Sequence, residues 1–183
     1  DIDTSSTNEE VIDKTFEIEQ DFQNVDLNDL NEAVIHFELE GTNYLKDTIL
    51  KFGFYTNHQH VVINAEDVKD YKHLVQWLED KNTTKIVYDA KKTYVSAHRL
   101  GINIENIEFD VMLASYIIDP SRSIDDVKSV VSLYGQNYVK DNITIFGKGK
   151  KHHIPEEPIL NEHIASVTEA IAAVTPTMKS QLE

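Results

Sequence analysis

The chain has 183 residues, of which 40% are hydrophobic and 27% are charged, a composition typical of one globular domain rather than of a disordered segment. It has no cysteine, which excludes disulfide scaffolds, thiolate metal sites and cysteine nucleophiles. Its net charge of −15 opposes binding of nucleic acid through bulk electrostatics, so such binding would need a local site, a bound metal or a basic partner.

An acidic segment opens the chain, and a strongly alternating pattern follows it. Residues 1–14 read as a polar lead-in or linker, and residues 15–19 alternate as a short edge strand does. Residues 33–40 predict a longer strand with one apolar face and one mixed face. The apolar face holds Ala33, Ile35, Phe37 and Leu39, and the mixed face holds Val34, His36, Glu38 and Glu40.

Two further strands are predicted at residues 48–55 and 58–63. Because only Thr56 and Asn57 separate them, we expect a hairpin with its tight turn at these two residues. His58 and His60 would then share one face of a strand. Paired histidines can bind zinc, but no further ligands are visible nearby, and two surface histidines are the simpler interpretation.

The rest of the chain alternates predicted helices and strands. Asp110 should cap one helix, residues 123–126 resemble a capping box that opens another, and Pro176 should kink or end the last one. Three strands followed by this alternation predict an α/β domain with helices on the faces of a mixed sheet. The predicted helices are 67–79, 90–100, 110–118, 123–134 and one from about 159, and the predicted strands are 85–88 and 104–108.

Residues 136–153 read as irregular and locally basic. Within them, 147–151 contains a Gly-Lys pair, but no Ser or Thr follows it and no glycine stands at the upstream spacing of a phosphate loop. A flexible basic loop is the simpler interpretation, and a phosphate contact is the alternative.

The strongest chemical signal is the carboxylate pair Glu38 and Glu40 at the end of the predicted strand 33–40. Two acids on one strand face can ligate divalent cations about 4 Å apart, the arrangement from which two-metal phosphodiester hydrolysis proceeds. Acidic alternation on an exposed strand face is the competing interpretation of the same pattern.

Three segments, 109–120, 125–127 and 146–150, resemble the 3′–5′ exonuclease domain of bacterial DNA polymerase I, and most closely the vestigial domain of Bacillus-type polymerases. The resemblance runs from about Thr15 to the end of the chain. It implies a ribonuclease H-like exonuclease fold, with a five-stranded mixed sheet whose second strand is antiparallel and helices on both faces. It also implies one domain over 15–183, as a fragment of a longer bacterial, cytoplasmic polymerase of DNA replication and repair. The linked polymerase domain would be its partner.

The resemblance further implies where catalytic residues would lie. Active members of the family hold two Mg²⁺, Mn²⁺ or Zn²⁺ ions with four carboxylates, and a tyrosine orients the attacking water. The acid positions fall on Glu38, Glu40, Thr93 and Val167, and the tyrosine position falls on His163. Because Thr93 and Val167 carry no carboxylate, we expect no functional catalytic residue and no bound metal, with Asp89 as the candidate for a substitute acid.

Three functional hypotheses follow. The first is a catalytically inactive exonuclease-like domain without a cofactor, in which the isolated domain binds DNA weakly or not at all and Val167 is part of the packing that closes the old site. The second is a weakly active proofreading exonuclease that uses Mg²⁺ or Mn²⁺ held by Glu38, Glu40 and Asp89. The third is an independent acidic interaction module that shares only the fold.

Overall fold

The computed structural model describes residues 11–183. Most of the predicted acidic lead-in, residues 1–10, lies outside the described residues. Its remainder lies against the domain: the backbone N–H of Ile12 donates to the carbonyl of Asn137 at 2.9 Å, and Lys14 forms an ion pair with Glu169.

A mixed sheet of six strands forms the centre of the domain. The strand order is β1-β4-β3-β2-β5-β6; β3 is antiparallel to both of its neighbours, and the other pairs are parallel. The predicted five strands with an antiparallel second strand are therefore present, and the predicted edge strand adds a sixth, two residues long. The strands are β1 (Ile18–Glu19), β2 (Glu32–Leu39), β3 (Ile49–Thr56), β4 (Gln59–Asn64), β5 (Thr84–Val87) and β6 (Ile107–Asp110).

Helices cover both faces of the sheet, as predicted. One core lies between the sheet and α1 and α2, and a second lies between the sheet and α3, α4 and α6. At Gly53 of β3 a Cβ atom would lie 2.5 Å from Ile164 Cγ2, so the glycine lets α6 approach the sheet closely. The helices are α1 (Lys72–Leu78), α2 (Ala90–Arg99), α3 (Val111–Ile118), α4 (Val127–Val131), α5 (Asn142–Phe146) and α6 (Glu157–Gln181).

The hairpin between β3 and β4 turns one residue later than predicted. Thr56 pairs with Gln59, and the turn residues are Asn57 and His58, whose φ angles of 47° and 64° are those of a type I′ turn. A type I′ turn matches the right-handed twist of the two flanking strands, and this match sets the register of β3 against β4. The predicted histidine pair on one strand face was therefore wrong: His58 lies in the exposed turn, and His60 is buried in β4.

Two predicted helices begin or run differently. The helix predicted at 67–79 is a 3₁₀ segment (Ala65–Asp70) followed by α1, because Tyr71 between them is extended and its hydroxyl donates to Asp21 at 3.1 Å. The capping box predicted at 123–126 instead joins Asp126 and Ser129, so the residue that caps α4 lies three positions later than expected. The carboxylate of Asp126 also accepts the backbone N–H of Asn142, which fixes it at this helix start.

The second half differs from the prediction in three more places. The strand predicted at 104–108 is β6, which runs to Asp110, and the region predicted as irregular contains α5 and a 3₁₀ turn at Gly149–Lys151. Pro176 does not end α6, which continues to Gln181. Val174 and Met178 are buried on either side of the proline, and this burial offsets the hydrogen bond that proline cannot donate. Within residues 11–183, none of the helices has the length and apolar character needed to cross a bilayer.

Candidate active site

A cleft of about 490 Å³ opens at the end of β2 where the predicted carboxylate pair lies. The end of β2, the start of α2 and the middle of α6 form its walls. Five of the six residues singled out from the sequence line it, and Thr93 does not. The five are Glu38, Glu40, Asp89, His163 and Val167.

Glu38 is buried, with 7% of its surface exposed, and it is hydrogen-bonded within its own strand. His36 Nε2 donates to Glu38 Oε2 at 2.6 Å, because residues two apart on a strand project from the same face. Burial by itself raises the pKa of the Glu38 carboxyl, but the hydrogen bond and charge of His36, with smaller effects of His163 and Lys92, lower that pKa to about 2. The Glu38 carboxylate is therefore ionised at neutral pH and already has an imidazole as its partner.

Glu40 lies directly beyond the last residue of β2 and is partly exposed at the mouth of the cleft. Its backbone N–H donates to the carbonyl of Thr48 at 2.9 Å, and the register of β2 against β3 shifts between Glu38 and Leu39. The structure thus places both acids of the predicted pair on one cleft wall, one buried and one near solvent.

The two non-acidic positions are both buried. Thr93 is 3% exposed, and its hydroxyl donates to the carbonyl of Asp89 at 2.9 Å inside the first turn of α2. Val167 is 1% exposed and belongs to the apolar cluster between the sheet and α6, so it is buried, as predicted, although it also lines the cleft. Neither side chain offers a metal an oxygen or nitrogen ligand from the cleft wall.

Asp89, the candidate substitute acid, is used by the backbone around it. It has a positive φ of 72°, and its carboxylate accepts the backbone N–H of Lys92 at 3.1 Å as the cap of α2. The carboxylate of Asp110 holds the same turn by accepting the backbone N–H groups of Asp89 and Ala90 at 2.9 and 2.8 Å. Asp110 also caps α3, as predicted, so one carboxylate fixes the starts of two helices.

His163 lies deep in the cleft beside the His36–Glu38 pair. It is buried, and its Nδ1 atom has no hydrogen-bond partner within the part of the chain that the structure describes. Burial lowers the pKa of His163, and the charge of Glu38 opposes this effect. Since the neutral imidazole is favoured, this face of the cleft holds one hydrogen-bonded carboxylate and one uncharged ring.

Sequence reasoning missed His36 as the partner of Glu38, although the alternation of residues 33–40 placed both on one face. It also missed Asp126, which lines the cleft but whose carboxylate accepts the backbone N–H groups of Ser129 and Asn142. The spacing of His36 and Glu38 was visible in the sequence, whereas their burial was not.

The residues present do not fit a two-metal site. Among residues 11–183, no three His, Asp or Glu side chains are grouped so that they could hold a metal ion. Glu38, Glu40 and Asp89 are therefore not such a group, although all three line the cleft.

The sequence of residues 35–174 matches the family model described as "DNA polymerase I, ribonuclease H-like domain". DNA polymerase I of Bacillus subtilis is 33% identical over 143 residues, which cover 78% of this chain and 16% of that protein. The chain thus spans about a sixth of the length of this relative.

Solved structures share the fold at lower identity. Brucella melitensis NrnC superposes with a TM-score of 0.72 at 18% identity, over 92% of this chain and 82% of that one. The POL domain of Pol1 from M. smegmatis, in complex with a DNA primer-template and dNTP, superposes with a TM-score of 0.52 at 13% identity. The match covers 82% of this chain and 23% of that one.

Proposed function

This chain belongs to the ribonuclease H-like domain family of DNA polymerase I, and from that premise we propose that it is a catalytically inactive 3′–5′ exonuclease-like domain, retained as a folded unit beside a polymerase domain. The observation that carries the proposal is the burial of Val167 in the apolar cluster under α6, at a position where active members of the family place a metal-binding acid. A side chain without a ligand atom fills the place of one carboxylate.

The charge balance supports the same proposal. Two divalent ions about 4 Å apart repel each other by roughly 17 kcal/mol at an effective dielectric constant of about 20, so the pair needs several bridging anions. Of the four acid positions only Glu38 and Glu40 carry a charge, which lowers the available ligand charge from −4 to −2. Glu38 Oε2 also accepts a hydrogen bond from His36 Nε2 at 2.6 Å, so this oxygen already has a partner other than a cation.

A nuclease assay tests the proposal. A single-stranded DNA labelled near its 5′ end is incubated with the chain in Mg²⁺ or Mn²⁺, and the Glu40→Ala variant is prepared in the same way as its matched control. We expect no shortening from the 3′ end beyond that seen with Glu40→Ala, because cleavage common to both preparations comes from a contaminant. Metal-dependent shortening that Glu40→Ala abolishes would refute the proposal.

A weakly active proofreading exonuclease is the second candidate function. It is favoured by one observation, that Glu38, Glu40 and Asp89 line the same cleft. It requires Asp89 to leave its role as the cap of α2 in order to bind a metal. Asp89→Asn separates the two candidates, since it keeps a capping side chain and would lower any cleavage that depends on the carboxylate.

The proposal also covers the longer protein to which this domain would belong. Because the B. subtilis relative is a DNA polymerase I of which this chain matches 16%, we place the domain in a longer bacterial polymerase that acts in DNA replication and repair in the cytoplasm. DNA would reach the protein through the polymerase domain. The isolated domain, with its net charge of −15, should bind single-stranded DNA more weakly than about 1 μM at physiological salt.

A further inference from the structure

A second cavity of about 450 Å³ adjoins the cleft, and Lys140 and His163 line both spaces. Residues 12–16 form one wall of this second cavity, and residues 158–166 of α6 form another. The described acids that line the cleft do not line the second cavity, so the two spaces differ in their walls. These acids are Glu38, Glu40, Asp89, Asp125 and Asp126.

Contacts between the N-terminal residues and α6 hold the second cavity in shape. The backbone N–H of Phe16 donates to Glu162 Oε2 at 3.2 Å, and Lys14 forms an ion pair with Glu169. The rings of Phe16 and Tyr138 have centroids 6.3 Å apart, and both residues line the cavity. The N-terminal wall is therefore fixed by a hydrogen bond, an ion pair and aromatic packing.

Two polar groups where the cavities meet lack partners. Lys140 is exposed and forms no ion pair with a carboxylate of residues 11–183. His163 is 6% exposed, and its Nδ1 atom has no hydrogen-bond partner in the same part of the chain. Burial is the main cause of the lowered pKa of His163, and the charge of Lys140 is a smaller one, which indicates that the two groups lie near each other.

We propose that the second cavity binds a small organic anion. Its carboxylate, sulfonate or phosphate group lies beside Lys140 and accepts a hydrogen bond from the His163 ring, and its apolar body contacts Phe16 and Tyr138. Such a group supplies a negative charge to the ammonium and an acceptor to the imidazole N–H. Small-molecule sites are typically cavities of about 300–1,000 Å³ with apolar walls and a few polar groups, a description that this cavity meets.

The charges around the two spaces favour an anion in the second cavity over the cleft. Five acids and three lysines line the cleft, whereas two acids and two lysines line the second cavity. Of these four charges, Lys14 is paired with Glu169, and the Glu162 carboxylate accepts the backbone N–H of Phe16. Lys140 is left as the cation beside the buried ring, so an anion is repelled less here than in the cleft.

The test is a fluorescence titration of the chain with anilinonaphthalene sulfonate, an aromatic anion whose emission rises in an apolar site. We expect one saturable site with a Kd on the order of 10–100 μM, the range that ligand efficiency gives for a molecule of this size. The uncharged analogue phenylnaphthylamine has the same aromatic body without the sulfonate, and it should bind roughly tenfold more weakly. Equal affinities, or no saturable binding of the sulfonate, would overturn the proposal.

Two lysine variants test where the charged group lies. Lys140→Ala should raise the Kd for the sulfonate roughly tenfold and leave that for phenylnaphthylamine unchanged. Lys128→Ala is the matched control, because Lys128 lines the cleft but not the second cavity, and it should change neither Kd by more than about twofold. His163→Phe keeps a ring and removes the N–H, so it should raise the Kd for the sulfonate roughly fivefold. Equal effects of the two lysine variants would place the anion elsewhere and overturn the proposal.

Competition against the bound sulfonate distinguishes the sources of the anion. Benzoate and phenyl phosphate carry an aromatic body, so at least one of them should displace the probe, and inorganic phosphate should do so far less. Stronger competition by benzoate assigns the site to carboxylates, and stronger competition by phenyl phosphate assigns it to phosphate monoesters. Displacement by inorganic phosphate as effective as by either aromatic anion, or displacement by single-stranded DNA alone, would overturn the proposal. Binding is measured without cleavage, so the nuclease assay alone decides whether the cleft is inactive.

Discussion

Strand β2 is buried on both faces, but the two faces are closed by different chemistry. The face towards α1 and α2 carries Ala33, Ile35, Phe37 and Leu39 in an apolar core, and we call it the core face. The other, the cleft face, carries His36 and Glu38 as a buried hydrogen-bonded pair beneath α6. Apolar burial stabilises a fold directly, whereas a hydrogen bond to a buried carboxylate roughly offsets the cost of desolvating that carboxylate. The comparison teaches that the core face holds the domain together by apolar packing, whereas the cleft face buries a polar pair.

A substitution on the core face should lower the free energy of unfolding the most. Phe37 is fully buried and packs against Phe52 with ring centroids 5.1 Å apart. Phe37→Ala should lower the free energy of unfolding by about 3–5 kcal/mol, through lost burial and the cavity left behind. Denaturant unfolding measures this loss, and a cost smaller than that of the His36 variant below would reverse the ranking of the two faces.

Breaking the His36–Glu38 pair on the cleft face should give the next largest loss of stability. His36→Leu leaves the Glu38 carboxylate buried without a partner, so the free energy of unfolding should fall by about 3 kcal/mol. The double variant His36→Leu/Glu38→Gln should recover much of this loss, because no unpaired charge remains. Strictly additive costs in the same unfolding experiment would show that the two side chains do not act as a pair.

Val167→Asp tests the apolar packing at one former acid position of the cleft. A carboxylate at a position that is 1% exposed should cost about 1–3 kcal/mol, since it is buried without a partner. Val167→Thr, of nearly the same shape, is the matched control for the loss of apolar surface. If Val167→Asp melts at the same temperature as the parent chain, or if this single change produces cleavage, then apolar packing has not replaced a metal ligand at this position.

The smallest expected effect is a change in how the stability of the protein depends on pH. The folded-state pKa of His163 is lowered from its ordinary value of 6.5 by burial, while Glu38 favours and His36 and Lys140 disfavour its charged form. The folded protein therefore resists protonation, and stability is lost as the pH falls below 6.5. His163→Phe should flatten the decline in the free energy of unfolding between pH 7 and pH 5. Glu38 does not interfere, because the stability from its lowered pKa is lost only as the pH falls from about 4.5 towards 2. Equal slopes for the two proteins would contradict the burial of a neutral His163.

Local patterns in the sequence were enough to predict most of the fold. The alternation at 33–40 assigned every side chain of β2 to its correct face, and Asp110 correctly marked the start of α3. Contacts between distant segments were not predictable in the same way. Pro176 remains inside α6 because of burial on both sides, and the hairpin turn is set by strand pairing.

In the candidate site, too, local patterns were predictable from the sequence and contacts between distant segments were not. The position of Glu38 and Glu40 at the end of β2 follows from local alternation, and both line the cleft. The absence of Thr93 from the cleft wall follows from a hydrogen bond inside α2. That His36 pairs with a buried Glu38 depends on how closely α6 packs on the sheet at Gly53, which no local pattern specifies.

The most direct measurement of the central claim is a thermal melt of the chain at increasing Mn²⁺ and constant ionic strength, beside the Glu38→Gln/Glu40→Gln variant. A metal that binds the native state at 100 times its Kd adds about 2.7 kcal/mol to the free energy of unfolding, which raises the Tm of a domain of this size by about 5 °C or more. We predict that Mn²⁺ leaves the Tm of the parent chain unchanged. A rise in Tm that depends on Mn²⁺ and is absent in the variant would show that the cleft still holds metal, and would contradict the account.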